Sequence, residues 1–143
     1  MYLNPKWRIL TVGDGDLSFS YALFNAIKPS TLVASTYDSK KTLCDKYSDN
    51  AFELLEKAAV SVLTQFDVTC QSDWQRLGEQ KFDLVIFQPP LSPAFKSEHV
   101  FKSQTQSTSA NTLNRGLLHQ FIKNACQFAL DQAGAQLCYI TSK

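Results

Sequence analysis

The stretch Arg8-Ile-Leu-Thr-Val-Gly-Asp-Gly-Asp-Leu-Ser-Phe-Ser20 decides how the chain is read. Ile9, Leu10 and Val12 form a short apolar run with a β-branched bias. Gly13-Asp14-Gly15-Asp16 breaks that run, and an apolar-periodic segment starts at Leu17. The pattern is strand, tight glycine turn, helix. Such a turn brings backbone N–H groups at a helix start close to a ligand, so an α/β nucleotide-type site is the first expectation.

Working outward, the spacing predicts strand one over residues 8–12 and a helix over 17–28. Phe19, Tyr21, Ala22, Leu23, Phe24 and Ile27 give that helix a broad apolar face, and Pro29 stops it. Residues 31–36 read as strand two, followed at once by Tyr37-Asp38-Ser39. A polar helical stretch over 40–47 comes next. Asp49 or Asn50 is placed to cap a further helix over 51–59. Residues 60–66 read as strand three, ending in Asp67-Val68. A short helix over 72–77 turns Trp74 and Leu77 inward. Residues 81–88 read as strand four, and its continuously apolar centre suits a strand covered on both faces. Pro89 and Pro90 end it. Residues 91–112 lack periodicity, and a loop that long in a compact domain is usually functional or disordered. A helix over 111–132, stopped by Gly134, and strand five over 135–141 complete the chain. Strands alternating with helices imply an α/β fold, a mostly parallel sheet with helices on both faces.

Composition sets bounds. The 143 residues amount to one domain, 1–143, without repeats or a linker. A hydrophobic share of 44% and a charged share of 19% are ordinary for a globular chain. The net charge of +1 makes no global electrostatic demand for nucleic acid, although a local basic patch stays open. Cys44, Cys70, Cys126 and Cys138 are widely spaced, which suits free thiols in a reducing compartment rather than disulfides or a metal site. No run is long enough to span a membrane, and no leader is evident. The expected location is cytoplasmic, or nuclear or nucleolar in a eukaryote.

In parallel α/β sheets, ligands bind beyond the carboxyl ends of the strands. Here those ends carry Gly13 and Gly15, then Asp38 with Ser39, then Asp67 with Val68, then Gln88-Pro89-Pro90. Asp38 lies 23 residues after Gly15, near the offset at which such folds present an acid to ribose hydroxyls. Asp67 is placed to accept from an exocyclic amine of adenine. Each acid has a plainer alternative as a helix cap. For Asp14 and Asp16 both alternatives stay open: ligand contact, or structural support of the helix start. Two carboxylates beside the glycines disfavour a pyrophosphate and suit a cationic ligand. This points to S-adenosylmethionine rather than NAD or ATP. Ser18 also stands where a dinucleotide fingerprint has its third glycine, and there is no P-loop.

Gln88-Pro89-Pro90-Leu91 resembles the Asn/Asp-Pro-Pro-aromatic turn of amino-directed methyltransferases, with a longer amide arm and no stacking ring. The wider chain resembles the Rossmann-like class I methyltransferase domain of the 25S rRNA uridine-N3 methyltransferases. The resemblance rests on Leu10-Thr-Val-Gly-Asp-Gly-Asp-Leu-Ser-Phe-Ser20, Ala34-Ser-Thr-Tyr-Asp-Ser39, Phe66-Asp-Val-Thr69, Phe82-Asp-Leu-Val-Ile-Phe87, Asn114-Arg-Gly-Leu-Leu118 and Lys143. It implies S-adenosylmethionine bound by Gly13, Gly15, Asp38 and Asp67, and methyl transfer to a uridine ring nitrogen in rRNA. Where that family has a turn close to Asn-Phe-Pro-His, this chain has Gln88-Pro89-Pro90-Leu91. Lys96, His99 and Arg115 are the candidate RNA contacts, and His99 is the candidate base for the ring-nitrogen proton. His119 reads as packing or surface.

A class I sheet has seven strands, and five are legible here. The last two are apparently lacking, which implies either a fragment or a second chain or dimer mate over the strand-five edge. The alternative to an enzyme is a non-catalytic module of the same fold that binds the cofactor or RNA.

Overall fold

The computed structural model describes residues 5–87, 110–131 and 136–139, with side chains for 5–87 and 116–131. In chain order the elements are β1 (Arg8–Val12), α1 (Ser18–Ile27), β2 (Thr31–Ser35), α2 (Lys40–Lys46), α3 (Phe52–Lys57), β3 (Ser61–Leu63), α4 (Gln71–Gln75), β4 (Leu84–Phe87), α5 (Ala110–Asn124), a turn of π-helix (Ala125–Ala129) and β5 (Gln136–Tyr139). The five described strands form one sheet in the order β3-β2-β1-β4-β5, every pair parallel. This is the expected α/β, Rossmann-like arrangement. The strand order reverses at β1, between β2 and β4.

Side chains alternate across a strand, and that alternation builds two cores. Leu10, Val12, Val33, Val85 and Phe87 face one side, against Trp74, Leu117 and Phe121. Ile9, Leu32, Ala34, Leu84 and Ile86 face the other, against Leu23, Leu43 and Leu55. All four residues of β4 are buried, as its unbroken apolar run requires. Trp74 joins the first core edge-on to Phe66 at 5.1 Å, and Phe87 packs on Phe121 at 4.6 Å. Ala22 is exposed, so the apolar face of α1 is narrower than its composition suggests. Among the described residues no helix is long and apolar enough to cross a membrane.

Several boundaries differ from the expectation, most of them by a residue or two, and three carry structural information. Strand three stops at Leu63 rather than 66. Gln65 takes φ 55°, and its N–H donates to the Asp38 carbonyl, so the chain swings across the exit of β2. Strand four begins at Leu84, because Phe82 bridges to Leu130 instead. The helix over 111–132 starts at Ala110, leaves α geometry after Asn124 and ends at Ala129. The Leu130 N–H donates back to Ala125 O at 2.9 Å, the wide spacing of a π turn. That turn delivers Leu130 and Asp131 to the start of β4, where Phe82 N–H meets Ala129 O and Asp131 N–H meets Phe82 O. The long loop lies mostly outside the described residues, and so does Gly134.

The amino ends of the strands are held by charge. The Arg8 guanidinium donates through Nε and Nη2 to the two oxygens of Asp83, each at 2.9 Å. Nη2 also reaches Asp131 Oδ2 at 2.9 Å. The Arg8 backbone N–H adds a bond to Asp83 at 2.8 Å. These bonds hold the Asp83 carboxyl below its ordinary value near 3.8, because they favour the charged form. A depressed folded pKa adds stability above the unfolded value and loses it as pH falls through the folded one. Wild type is therefore expected to melt above Asp83→Asn at neutral pH. The gap should close as pH drops below about 4, read by thermal melts across that window.

Candidate functional site at the carboxyl ends of the strands

The glycine turn after β1 is built by backbone demands. Gly13 sits at φ 77°, where a Cβ is disfavoured. Leu17 takes φ 66°, a strained value for a side-chain-bearing residue, yet its side chain is fully buried. The turn closes with Leu17 N–H on Asp14 O at 3.3 Å, and Tyr21 N–H on Leu17 O opens α1.

Of the alternatives for Asp14, the structure shows the structural one. Its Oδ2 accepts from the Ser20 N–H and the Ser20 hydroxyl, each at 2.7 Å, so it caps α1 from outside the helix. Since the Ser20 hydroxyl donates to Asp14, Thr11 Oγ1, 2.7 Å away, must donate to Ser20. Thr11, Asp14 and Ser20 are all buried. Burial raises the Asp14 carboxyl above its ordinary value, against the opposing pull of the Ser20 bonds. Asp16 also serves the helix start, as Oδ1 accepts from Ser18 N–H at 3.0 Å and from Ser18 Oγ at 2.6 Å. Both carboxylates thus turn toward α1.

The next exits are tied to this turn. Asp14 N–H donates to Ser35 O, and the Ser35 hydroxyl donates to Thr11 O at 2.8 Å. Thr36 uses three of its groups, two on the end of β3 and the loop after it and one on the glycine turn. Its N–H donates to Leu63 O at 3.0 Å, its carbonyl accepts from Phe66 N–H at 3.0 Å, and its hydroxyl donates to Gly15 O at 3.2 Å. The loops after β1, β2 and β3 are therefore one hydrogen-bonded unit.

On that unit stand the acids expected from the sequence. The Asp38 side chain is 12% exposed, and its Oδ1 lies 3.3 Å from Lys46 Nζ. Asp67 Oδ1 accepts from Thr69 N–H at 2.9 Å and Thr69 Oγ1 at 2.7 Å. Tyr37 directly precedes Asp38. Burial raises its phenol above the ordinary value, and the charges of Asp67 and Asp38 raise it further. The second and third strand exits are joined by backbone bonds from Gln65 N–H to Asp38 O and from Phe66 N–H to Thr36 O, each 3.0 Å. Ser39 is occupied as the cap of α2: its Oγ accepts from Thr42 N–H at 3.2 Å and pairs with Thr42 Oγ1.

Val68 is anchored from below. Its carbonyl accepts from Trp74 Nε1 at 2.9 Å and from Asn124 Nδ2 at 2.8 Å. Asn124 is fully buried, and its Oδ1 has no partner among the described residues. That unmet acceptor costs about 1–3 kcal/mol, so the amide contributes placement of Val68 rather than net stability. Asp73 Oδ2 accepts from Asp67 N–H at 3.1 Å, and Arg76 donates to Thr64 O at 3.0 Å, which braces the same loop from α4.

Gln88, Pro89, Pro90, Lys96 and His99 lie outside the described residues. Arg115 lies in α5, and its side chain lies outside them too. Phe87, the last residue of β4, pairs with Val12, so the exit of β4 adjoins the glycine turn. His119 is exposed on α5. Sequence reasoning missed Thr36, Tyr37 and Asn124. A polar residue closing an apolar strand just before an acid is the only signal that Thr36 and Tyr37 offer.

Removing the buried acceptor in Asp14→Ala is expected to lower unfolding free energy by about 1–3 kcal/mol in urea melts, because Ser20 N–H and hydroxyl lose their partner. Asp14→Asn keeps an acceptor oxygen and removes the ionisation. A carboxyl with a raised folded pKa favours folding below its unfolded value and loses that contribution as pH rises through the folded one. Asp14→Asn should therefore lose less stability than wild type between acidic and neutral pH. Thr36→Val leaves Gly15 O without its donor and should cost about 1 kcal/mol by the same measurement.

A protein of Arabidopsis thaliana named "Uncharacterized protein At4g26485" is 26% identical over 136 residues, covering 87% of this chain and 63% of that protein. The chain thus spans just under two thirds of the length of that relative. Residues 10–143 match the BMT5-like family, described as rRNA (uridine-N3-)-methyltransferase BTM5-like. That match runs from β1 through β5 and takes in every strand exit described above, and the chain belongs to this family.

Proposed function

We propose that this chain binds S-adenosylmethionine across the exits of β1, β2 and β3 and methylates a uridine ring nitrogen in rRNA. The observation that carries the reading is the joining of those exits through Thr36, with Asp38 and Asp67 standing at the second and third of them. Membership of a family of rRNA uridine-N3 methyltransferase type supports the acceptor class.

The residues present fit a nucleoside with a cationic end. Asp38 offers a carboxylate to paired ribose hydroxyls, and its present partner, Lys46, is an exposed side chain that gives way at little cost. Asp67 offers a carboxylate to an exocyclic amine, with the backbone at Val68 beside it. Gly13 and Gly15 allow close approach of the backbone. Asp14 and Ser39 support this surface by holding α1 and α2. When bound, S-adenosylmethionine supplies a methyl group on a cationic sulfur, and the protein contributes mainly position and electrostatics.

Gln88, Pro89 and Pro90 follow directly on Phe87, and we assign them to hold the acceptor base. Uridine N3 carries a proton that must leave as its bond to carbon forms, and we assign His99 to receive it. Lys96 and Arg115 are assigned to RNA phosphates.

Calorimetry with S-adenosylmethionine, S-adenosylhomocysteine and NADH tests the cofactor. The two sulfur ligands are expected to bind and NADH is not; binding of NADH alone sinks the reading. Asp38→Ala is expected to weaken S-adenosylhomocysteine at least tenfold, since a carboxylate bonded to two hydroxyls is lost. Transfer of labelled methyl to rRNA tests the reaction. Cofactor binding without transfer to any RNA would leave a binding module and remove the enzyme.

A further inference from the structure

The last turn of α2 stands against two of these strand exits at once. Lys46 Nζ is 3.3 Å from Asp38 Oδ1. The next residue, Tyr47, places its hydroxyl oxygen 3.4 Å and its Cζ 3.8 Å from the point a Cβ on Gly15 would occupy. Consecutive residues thus pair with the acid after β2 and stand beside the glycine turn after β1.

Tyr47 is held there by the backbone on both sides. Its N–H donates to Leu43 O at 2.9 Å, and Leu43 is fully buried. Its carbonyl accepts from Asn50 Nδ2 at 3.0 Å. Ala51 N–H donates to Asp16 O at 2.9 Å, which ties the following segment to the glycine turn itself. Gly15, unlike Gly13, does not sit at positive φ, so its own backbone does not call for glycine. A Cβ there would meet the Tyr47 hydroxyl at ordinary van der Waals distance, so the Tyr47 ring lies close beside this turn.

The packing does not account for the hydroxyl. Among the described residues Tyr47 Oη makes no hydrogen bond, and the residue is 36% exposed, so a Phe would fill the same space. A phenol both donates and accepts, and can therefore serve a carboxylate or an ammonium. Building on the cofactor reading above, we propose that Tyr47 determines specificity at this site, its hydroxyl contacting the charged amino-acid end of the cofactor beside Gly15. Lys46 then acts as an occupant of Asp38 that ribose hydroxyls displace.

The test is calorimetry on the full chain and on Tyr47→Phe with two probes. S-adenosylhomocysteine carries the amino-acid end, and methylthioadenosine lacks it. Tyr47→Phe is expected to weaken S-adenosylhomocysteine about tenfold, the loss of one hydrogen bond to a charged group. Methylthioadenosine should stay within about twofold, and the melting temperature should not move. An unchanged affinity for both probes overturns the proposal. So does a parallel loss of both, which would mark a role in packing alone. Wild type that binds neither probe would overturn the cofactor reading itself. Wild type that binds S-adenosylhomocysteine, with no change in the ratio of the two affinities on Tyr47→Phe, would leave that reading standing and remove only the role of Tyr47.

Discussion

The site depends on Thr36. One residue, 1% exposed, bonds to the turn after β1 through its side chain and to the loop after β3 through its backbone. Buried backbone groups that lose a partner cost more than a formed bond contributes net, so these bonds leave the three exits one arrangement. Around Thr36 a second set of buried bonds runs from Thr11 to Ser20 to Asp14, and from Ser35 back to Thr11. The glycine turn is thereby anchored to β1, to β2 and to the start of α1. A surface able to receive a ligand needs this rigidity, because groups that must be ordered on binding reduce affinity.

The two ends of the sheet are stabilised by different physics. At the amino ends, Arg8 joins Asp83 and Asp131, so charge holds β1, β4 and the end of the π turn together. At the carboxyl ends, carboxylates bond to N–H and hydroxyl groups of helix starts and turns. Asp14 and Asp16 serve α1, and Asp67 serves its own turn. Acids near helix N-termini are favoured by the helix dipole. They also make the site end rich in carboxylate without placing every carboxylate in the open. Asp38 and Asp67 are the two whose charges act together on Tyr37.

This bears on the electrostatic argument for the cofactor. The acidic glycine turn looks hostile to a pyrophosphate, yet the charge on Asp14 is turned into the protein and held there by Ser20. The proposed preference for a cationic ligand therefore rests more on Asp38 and Asp67, with Asp16 beside the turn. A reading from residue type alone weighs four equal charges. Their burial and partners divide them into two that build the turn and two that mark the exits of β2 and β3.

The sequence by itself determined the α/β class, the position of every described strand to within a few residues, and the acids that mark the strand exits. It could do so because apolar alternation and glycine breaks are local signals that depend on neighbours a few residues apart. The family was legible for the same reason: the glycine turn and the Asp38 segment are contiguous. Only the tertiary structure decided which carboxylates are consumed by caps, that Thr36 joins three loops, that Asn124 reaches Val68 across 56 residues, and that Tyr47 rests on Gly15. Those contacts lie between segments distant in sequence, and a side chain's partner there is set by how the layers pack. The early stop of β3 and the π turn after Asn124 have the same origin. In each the chain gives up regular geometry to satisfy backbone groups of another segment, Gln65 at Asp38, and Ala129 with Asp131 at Phe82.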